Sequence, residues 1–270
     1  PLYSSAASDV YKRQLLNPII GNMFPDTSLF YETGLVFPGS RTGTLDSTNL
    51  QPSDWCLMAE YILDNYARFD GFVLLHGTDS MAFTASALPF LLNVFDERGF
   101  KKATLSKPVI VTGSQVPMFH QPNSAASQEL LQLNFNTDAY QNFCGAIACA
   151  RLGMPEVGVY FDAQLYRGNR VLKINASEFQ AFNSPNYPPL GKYGIALQQF
   201  PENILPGPVG YEVSLDNPGI LSVAQSQLSV VKNNIDKNPV IQFNAFPAPY
   251  DSAAGSSVLA ALILSLIHIS

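Results

Sequence analysis

Three short apolar runs constrain the fold of this chain more than any other feature of its sequence. They lie at 71–75 (GFVLL), 107–112 (KPVIVT) and 157–161 (VGVYF). Continuous apolar runs of this length are typical of strands that are buried on both faces, as in parallel sheets. Stretches with helical spacing of apolar residues, at 51–68 and 81–94, precede and follow the first run. This alternation predicts an α/β fold with a doubly wound, mainly parallel sheet.

The composition allows a large buried core and excludes several classes of protein. Hydrophobic residues make up 47% of the 270 residues and charged residues 13%, whereas an average soluble chain carries about 25% charged residues. An intrinsically disordered chain is therefore excluded. The net charge of −6 does not suggest a basic patch, so we predict neither a nucleic-acid nor a membrane partner.

The placement of cysteines and histidines argues against a disulfide framework and a metal site. The three cysteines are Cys56, Cys144 and Cys149, and the three histidines are His76, His120 and His268. An odd number of cysteines without CxxC spacing fits a reducing compartment, and the scattered histidines lack the clustering of a zinc site. We therefore expect a cytoplasmic protein without a bound metal.

The sequence predicts two domains and two ends that belong to neither. A larger α/β domain covers 15–200, a proline-rich linker covers 201–218, and the start of a smaller α/β domain covers 219–263. The predicted elements of the smaller domain are a strand at 219–223, a helix at 225–235 and a strand at 240–243. The ends, 1–14 and 264–270, resemble translated adapter sequence, so we expect a fragment truncated on both sides.

A cluster of polar residues directly follows the first apolar run and directly precedes a helical stretch. It reads His76-Gly77-Thr78-Asp79-Ser80, and ligands of open α/β sheets bind where strands end and helices begin. The Thr78 hydroxyl beside an acidic neighbour suits nucleophilic catalysis. The same residues also suit a helix cap at Asp79 or Ser80, with Thr78 filling the turn. The spacing alone leaves both interpretations open.

Two further segments are expected at the same edge of the sheet. Ser114 and Gln115 follow the second apolar run, and their hydroxyl and amide groups either line the same pocket or close a turn. Lys173 follows the sequence YRGNR after the third run. A lysine acts as a base only where burial or a neighbouring cation disfavours its charged form, and it is otherwise a surface charge.

Five sequence blocks change the balance between these alternatives. In chain order they are TLDSTNLQPSDW (44–55), GFVLLHGTDSMAFTASALPFLL (71–92), KPVIVTGSQVP (107–117), LYRGNRVLK (165–173) and FQAFNSPNYPPLG (179–191). Together, and over about residues 28–249, they resemble the L-asparaginase family of the bacterial cytoplasmic type. The combination of HGTD, TGSQ and RGNR in this order is more specific than any of these motifs by itself.

The resemblance implies a reaction and a set of site residues. Members of this family hydrolyse L-asparagine to L-aspartate and ammonia through a threonine-linked acyl-enzyme, without a cofactor. The implied catalytic residues are Thr78, Asp79 and Lys173, and the implied substrate-binding residues are Asp46, Ser47, Thr48, Gly77 and Ser114. For Ser47 the alternative is an ordinary turn residue. The resemblance also implies a homodimer or homotetramer with sites at subunit junctions.

The sequence departs from the family pattern at three places. It contains no Thr-Gly-Gly-Thr turn, which carries the family's first catalytic threonine, so we expect the chain to begin after that turn and to be inactive by itself. Thr137-Asp138-Ala139 stands where the family has a Ser-Asp-Gly turn, after an insertion at 123–136. The sequence NAFPAP at 244–249 replaces a glycine-rich turn that contributes to a neighbouring subunit's site.

Two other functions fit the same motifs. One is the ammonia-supplying subunit of an archaeal-type glutamyl-tRNA amidotransferase, which would act with a tRNA-charging partner. The other is a non-catalytic homologue that has lost the first threonine and binds an amino acid without hydrolysing it.

Overall fold

The computed structural model describes residues 21–30, 46–120 and 132–237. The helices are α1 Pro52–Asp64, α2 Met81–Leu91, α3 Ala139–Ala150 and α4 Pro218–Asn234. The strands are β1 Phe72–Leu75, β2 Val94–Phe95, β3 Lys101–Ala103, β4 Val109–Thr112, β5 Phe119–His120, β6 Gln132–Leu133, β7 Val157–Phe161, β8 Gln164–Arg167, β9 Leu172–Lys173, β10 Phe182–Asn183, β11 Gly191–Tyr193 and β12 Leu197–Gln199. Short 3₁₀ turns lie at Ser47–Asn49, Gly168–Arg170, Pro201–Asn203 and Tyr211–Val213.

A six-stranded sheet with the order β1-β4-β7-β8-β11-β12 forms the centre of the described residues. The three apolar runs form β1, β4 and β7, which pair in parallel. Strand β8 pairs with β7, β11 with β8 and β12 with β11, each in antiparallel fashion. The prediction of an α/β fold with a mainly parallel sheet is confirmed, and the apolar runs form its parallel part. The antiparallel half was not predicted, because its short strands carry polar residues and no continuous apolar signal.

Helices cover both faces of the parallel strands. Val109 and Val111 of β4 belong to a buried cluster that includes residues of α1 and α2. Ile110, which lies between them, belongs to a second cluster with Ala146 and Cys149 of α3. Because successive side chains of a strand point to opposite faces, this partition shows why β4 carries apolar residues at each of positions 109–111.

The first two helices begin close to where their sequence signals predict. At α1 the Gln51 backbone N–H donates to Asp54 Oδ2 at 2.8 Å, and Pro52 occupies the first turn. A carboxylate at this position satisfies an N–H group that the helix leaves unpaired. The helix α2 ends at Leu91, earlier than the predicted 81–94, because Val94 enters the β2–β3 hairpin.

The predicted strand at 219–223 was wrong. Residues 219–223 instead form the first turns of α4, where the Asn217 side chain accepts a hydrogen bond from the Gly219 N–H at 2.9 Å and Pro218 occupies the first turn. Asparagine at the cap followed by proline is a strong signal for a helix start. The prediction instead followed the apolar run GILSV, which is also typical of a strand. The predicted strand at 240–243 lies outside the described residues.

The chain divides into two compact units, Pro1–Asp236 and Lys237–Ser270. Helix α4 packs on α1 inside the first unit, where Lys232 Nζ lies 2.6 Å from Glu60 Oε2. The predicted linker at 201–218 includes two of the 3₁₀ turns and also lies in this unit. Where the family's second domain begins stays a prediction.

Four of the predicted features lie wholly or mostly outside the described residues. They are the ends at 1–14 and 264–270, the substitution at 244–249 and most of the insertion at 123–136.

Candidate active site

The structure brings Thr78, Asp79 and Lys173 into direct contact. Lys173 Nζ lies 2.8 Å from Thr78 Oγ1 and 2.7 Å from Asp79 Oδ1. Thr78 and Asp79 occupy the turn between β1 and α2, at the carboxyl end of the parallel strands, and Lys173 is the last residue of β9. The predicted trio is therefore a single cluster at the predicted edge of the sheet.

Close packing between the 168–170 turn and helix α2 positions Lys173 beside Thr78. The 3₁₀ turn Gly168–Arg170 lies against α2, and a Cβ atom at Gly168 would come within 2.6 Å of the Ala85 carbonyl oxygen. Strand β9 then pairs with β10, with Lys173 opposite Phe182. Glycine is needed at 168 because no side chain fits between this turn and the helix.

The three side chains differ in exposure in a way that suits proton transfer. Thr78 is 9% exposed, and the Lys173 side chain 17%, whereas the Asp79 side chain is 57% exposed. An ammonium group taken largely out of water needs a partner of opposite charge. Asp79 supplies that charge, so Lys173 can remain next to a buried hydroxyl.

Gln115 is a fourth member of the cluster. Thr78 Oγ1 donates to Gln115 Oε1 at 3.1 Å, and Gln115 Nε2 donates to the Glu178 carbonyl oxygen at 3.1 Å. The sequence placed the amide of Gln115 near the pocket, but its neighbour Ser114 was predicted as the binding residue. Ser114 is half-buried, and within the described residues its hydroxyl makes no hydrogen bond.

Asp138 holds the turn that carries Gln115, and the sequence pattern gave it no role. Its Oδ2 accepts from the Gln115 N–H and its Oδ1 from the Val116 N–H, each at 3.0 Å. Asn142 Nδ2 donates to Asp138 Oδ2 and to the Gly113 carbonyl oxygen, also at 3.0 Å each. The available signal was the aspartate shared between Thr137-Asp138-Ala139 and the family's Ser-Asp-Gly turn.

His76 fixes the peptide that precedes Thr78. Its Nδ1 lies 2.7 Å from the Gly77 carbonyl oxygen and its Nε2 lies 2.8 Å from Thr84 Oγ1. A carbonyl only accepts hydrogen bonds, so Nδ1 carries the proton, and Nε2 accepts from Thr84. Burial lowers the pKa of His76, which keeps this ring neutral.

The predicted substrate-binding turn lies directly over Gly77. Ser47 is buried, and a Cβ atom added to Gly77 would come within 2.5 Å of Ser47 Oγ. Asp46 Oδ1 accepts from both the N–H and the hydroxyl of Thr48 at 3.0 Å. These hydrogen bonds hold the pKa of Asp46 below its usual value. Asp46 and Thr48 are exposed and bond to each other, whereas Ser47 and Gly77 touch across the two turns.

An open groove of about 690 Å³ borders the cluster. Its lining includes Asp79, Phe83, Arg170, Lys173, Asn175 and Asn186. Thr78 and Ser47 lie outside this lining, so the groove meets the cluster on the side of the Lys173–Asp79 ion pair. The space adjoining that ion pair is large enough for a small polar molecule.

The described part of the chain contains neither a metal-binding cluster nor a membrane-spanning helix. His, Cys, Asp and Glu side chains in that part form no group of three or more that could hold a metal ion. None of the helices described there is both long enough and apolar enough to span a bilayer.

The fold and site define an α/β protein with a threonine–lysine–aspartate cluster at the carboxyl edge of its sheet. Residues 36–203 match the protein family described as "Asparaginase, N-terminal". The chain belongs to the asparaginase family, as the sequence blocks predicted.

Individual relatives agree with this assignment. The chain is 36% identical over 206 residues to L-asparaginase 1 of Escherichia coli K12, covering 74% of this chain and 53% of that protein. It is 32% identical over 154 residues to a subunit of the glutamyl-tRNA(Gln) amidotransferase of Thermoplasma acidophilum, covering 54% of this chain and 32% of that protein. The chain therefore spans about half the length of the E. coli relative.

A solved structure supports the fold. The structure titled as a probable cytoplasmic L-asparaginase from Campylobacter jejuni superimposes with a TM-score of 0.51 at 19% identity, covering 74% of this chain and 55% of that chain. At this identity the likeness concerns the fold alone.

Proposed function

We propose that this protein, when its chain includes the family's Thr-Gly-Gly-Thr turn, hydrolyses the side-chain amide of L-asparagine to give L-aspartate and ammonia. The observation that carries the proposal is the Thr78 hydroxyl in direct contact with Lys173 Nζ, which is paired with Asp79. A hydroxyl, an amine and a charge-compensating carboxylate form a recurring arrangement for activating a nucleophile. The similarity to L-asparaginase 1 supports an amino-acid amide as the substrate class.

The proposed reaction has two halves. In the first, a threonine oxygen adds to the amide carbon, the C–N bond breaks, and the nitrogen leaves as ammonia after taking up a proton. In the second, water adds to the ester carbon and the C–O bond to threonine breaks, which releases aspartate. Lys173 is placed to donate a proton to Thr78 Oγ1 in these steps, and Asp79 balances the charge on Lys173.

The 46–48 turn and Gly77 are proposed to bind the amino-acid end of the substrate. Asp46 is an exposed carboxylate that is ionised at neutral pH even at its ordinary pKa, and the hydrogen bonds from Thr48 lower that pKa further, so it can accept hydrogen bonds from an α-ammonium group. Ser47, in contact with Gly77, brings its hydroxyl to the same edge, and Ser114 follows the neighbouring strand β4. Cytoplasmic location and a homodimer or homotetramer also remain proposals.

The test is ammonia release from L-asparagine by the purified protein joined to the family's Thr-Gly-Gly-Thr segment, with L-glutamine assayed in parallel; the chain without that segment should release none. Lys173→Met should abolish turnover without changing the thermal melting temperature by more than a few degrees. Lys192→Met is the matched control, because Lys192 is an exposed residue of β11 and its loss should leave turnover unchanged. Full activity of Lys173→Met would contradict the assignment.

The same assay separates the two alternative functions. The similarity to the Thermoplasma amidotransferase favours a second candidate, the ammonia-supplying component of such an enzyme, and that role predicts release only with a tRNA-charging partner. Release from free asparagine without any tRNA counts against it. Calorimetric binding of asparagine without ammonia release would identify a binding protein instead.

A further inference from the structure

We propose that Gln115 is a positioning residue that directs the Thr78 hydroxyl, and that Asp138 holds Gln115 in the geometry this requires. The inference rests on the proposed function for its kinetic consequence. Its structural part concerns a single side-chain conformation, and it can be measured whether or not the protein turns over asparagine.

The direction of the Thr78 hydroxyl proton follows from the partners of Oγ1. A protonated lysine carries donors and no acceptor, so Thr78 Oγ1 accepts from Lys173 at 2.8 Å. The hydroxyl proton then needs another acceptor, and Gln115 Oε1 lies 3.1 Å away. Gln115 therefore keeps a lone pair of Oγ1 facing Lys173 Nζ.

The orientation of the Gln115 amide is itself fixed. Its Nε2 donates to the Glu178 carbonyl oxygen at 3.1 Å. In a flipped amide, Oε1 would face the Glu178 carbonyl oxygen, and two acceptors cannot form a hydrogen bond. The Thr78 hydroxyl proton would then face the NH₂ group, which is a donor and not an acceptor. The contact with Glu178 thus selects the end of the amide that Thr78 meets.

Asp138 binds the backbone N–H groups of the turn that carries Gln115. Its two carboxylate oxygens accept from the N–H groups of Gln115 and Val116. Thr137 Oγ1 donates to the Val116 carbonyl oxygen at 2.8 Å, and Asn142 donates to the Gly113 carbonyl. The turn therefore has side-chain partners for its N–H and its C=O groups, all from the start of α3.

The aspartate of Thr137-Asp138-Ala139 acquires a role through these contacts. Asp138 acts on Gln115, and Gln115 acts on the Thr78 oxygen, so neither residue needs to touch the substrate. A threonine side chain has three staggered rotamers. If Thr78 loses the hydrogen bond to Gln115, its preference for the observed rotamer decreases. One hydrogen bond corresponds to about a tenfold change in population or rate.

The first experiment uses the full chain with methyl-labelled threonine and measures the three-bond couplings that report the χ1 angle of Thr78. Gln115→Met removes all three hydrogen bonds of the Gln115 amide at similar side-chain length, and we expect couplings averaged over rotamers in place of a single one. Gln199→Met on the edge strand β12 is the matched control and should leave the Thr78 couplings unchanged. Retention of a single Thr78 rotamer in Gln115→Met would overturn the proposal.

The kinetic arm separates positioning from substrate contact. We expect Gln115→Met to lower kcat about tenfold with KM changed less than about twofold. A rise in KM with unchanged kcat would mean that Gln115 contacts the substrate, and would overturn the positioning role. If the parent protein joined to the Thr-Gly-Gly-Thr segment releases no ammonia, the proposed function fails, and the Thr78 couplings alone decide whether Gln115 positions the hydroxyl.

The second variant tests the role of Asp138. Asp138→Asn replaces one of the two acceptor oxygens with an NH₂ group, so one of the Gln115 and Val116 N–H groups faces a donor in place of its acceptor. We expect the same averaging at Thr78 as in Gln115→Met, in a protein whose melting is still cooperative. If Asp138→Asn melts cooperatively and keeps a single Thr78 rotamer, Asp138 has no part in positioning; if it unfolds, Gln115→Met decides the proposal.

Discussion

Lys173 Nζ lies 2.8 Å from Thr78 Oγ1 although 95 residues separate them in the chain. Two observations explain the contact. The turn after β1 leaves Thr78 at the carboxyl edge of the sheet, and the turn at 168–170 packs so tightly on α2 that only glycine fits at Gly168. Strand β9 then ends with its lysine against the β1–α2 turn, so the fold itself assembles the site.

The charge of Asp79 should matter more to activity than to stability. Asp79→Asn keeps the shape of the side chain but removes the charge paired with Lys173 at 2.7 Å. Acid–base assistance is worth about a hundredfold or more in rate, so we expect kcat for asparagine hydrolysis to fall about a hundredfold. Asp70→Asn, at an exposed position before β1, should not change kcat. Equal rates in the parent and in Asp79→Asn would show that the ion pair does not serve catalysis.

The parallel sheet and the catalytic cluster could be predicted because apolar runs and specific motifs encode them. The runs at β1, β4 and β7 predicted the parallel sheet, and the resemblance selected Thr78, Asp79 and Lys173, which the structure brings together. The part that was missed depends on contacts between distant segments. Whether the Gln115 amide meets Thr78 depends on Asp138, and no local pattern reports that contact.

Helix α4 illustrates a different limit. The run GILSV satisfies the composition of a strand and of a helix equally, because short apolar runs carry no period. The decision rests on Asn217 and Pro218, whose cap and first-turn positions start the helix. Burial of Ala224 and Leu228 at a spacing of four then follows from packing on α1, which the sequence of α4 alone does not reveal.

Gly77 should tolerate no side chain. A Cβ atom there would lie 2.5 Å from Ser47 Oγ and 2.8 Å from Ser47 Cβ, so Gly77→Ala must displace the 46–48 turn. Overpacking of this kind costs about 1–3 kcal/mol, and urea unfolding should show a loss of that size. Gly194→Ala is the matched control, because nothing lies within 4 Å of a Cβ atom at Gly194. An unchanged unfolding midpoint for Gly77→Ala would show that the two turns are not in contact.

The Glu156–Arg167 ion pair should contribute strongly to stability. Arg167 Nε donates to Glu156 Oε2 at 2.7 Å, the Leu205 N–H donates to Oε1 at 2.8 Å, and both charged side chains are at most 12% exposed. Glu156→Gln keeps the shape but leaves the Arg167 guanidinium buried without a counter-charge, which costs about 3 kcal/mol.

Urea unfolding of Glu156→Gln and of the exposed control Glu202→Gln measures this cost. The Glu202 variant should unfold at the parent midpoint, since Glu202 is exposed on a 3₁₀ turn. Equal midpoints for the two variants would mean that the buried pair contributes nothing beyond its packing.

The half-buried His76 predicts a specific loss of stability in mild acid. Because burial lowers the pKa of His76 in the folded protein, the unfolded chain takes up a proton near pH 6.5 while the folded ring stays neutral between Gly77 and Thr84. The unfolded state then binds more protons than the native state, so the free energy of unfolding decreases as pH falls from about 6.5 toward the lowered pKa. Above that window the histidine contributes no pH dependence.

His76→Asn removes the titration and retains a side-chain N–H that can reach the Gly77 carbonyl oxygen. We expect this variant to be less stable than the parent at pH 7.5, because it loses the hydrogen bond from Thr84 Oγ1 to His76 Nε2. Between about pH 6.5 and 5 its free energy of unfolding should change less than that of the parent. Urea unfolding at three pH values measures both slopes. Parallel slopes in parent and variant would mean that the pKa of His76 is the same in the folded protein as in the unfolded chain. The folded ring would then be protonated below about pH 6.5, Nε2 could not accept from Thr84 there, and the Gly77–Thr78 peptide would be held in another way.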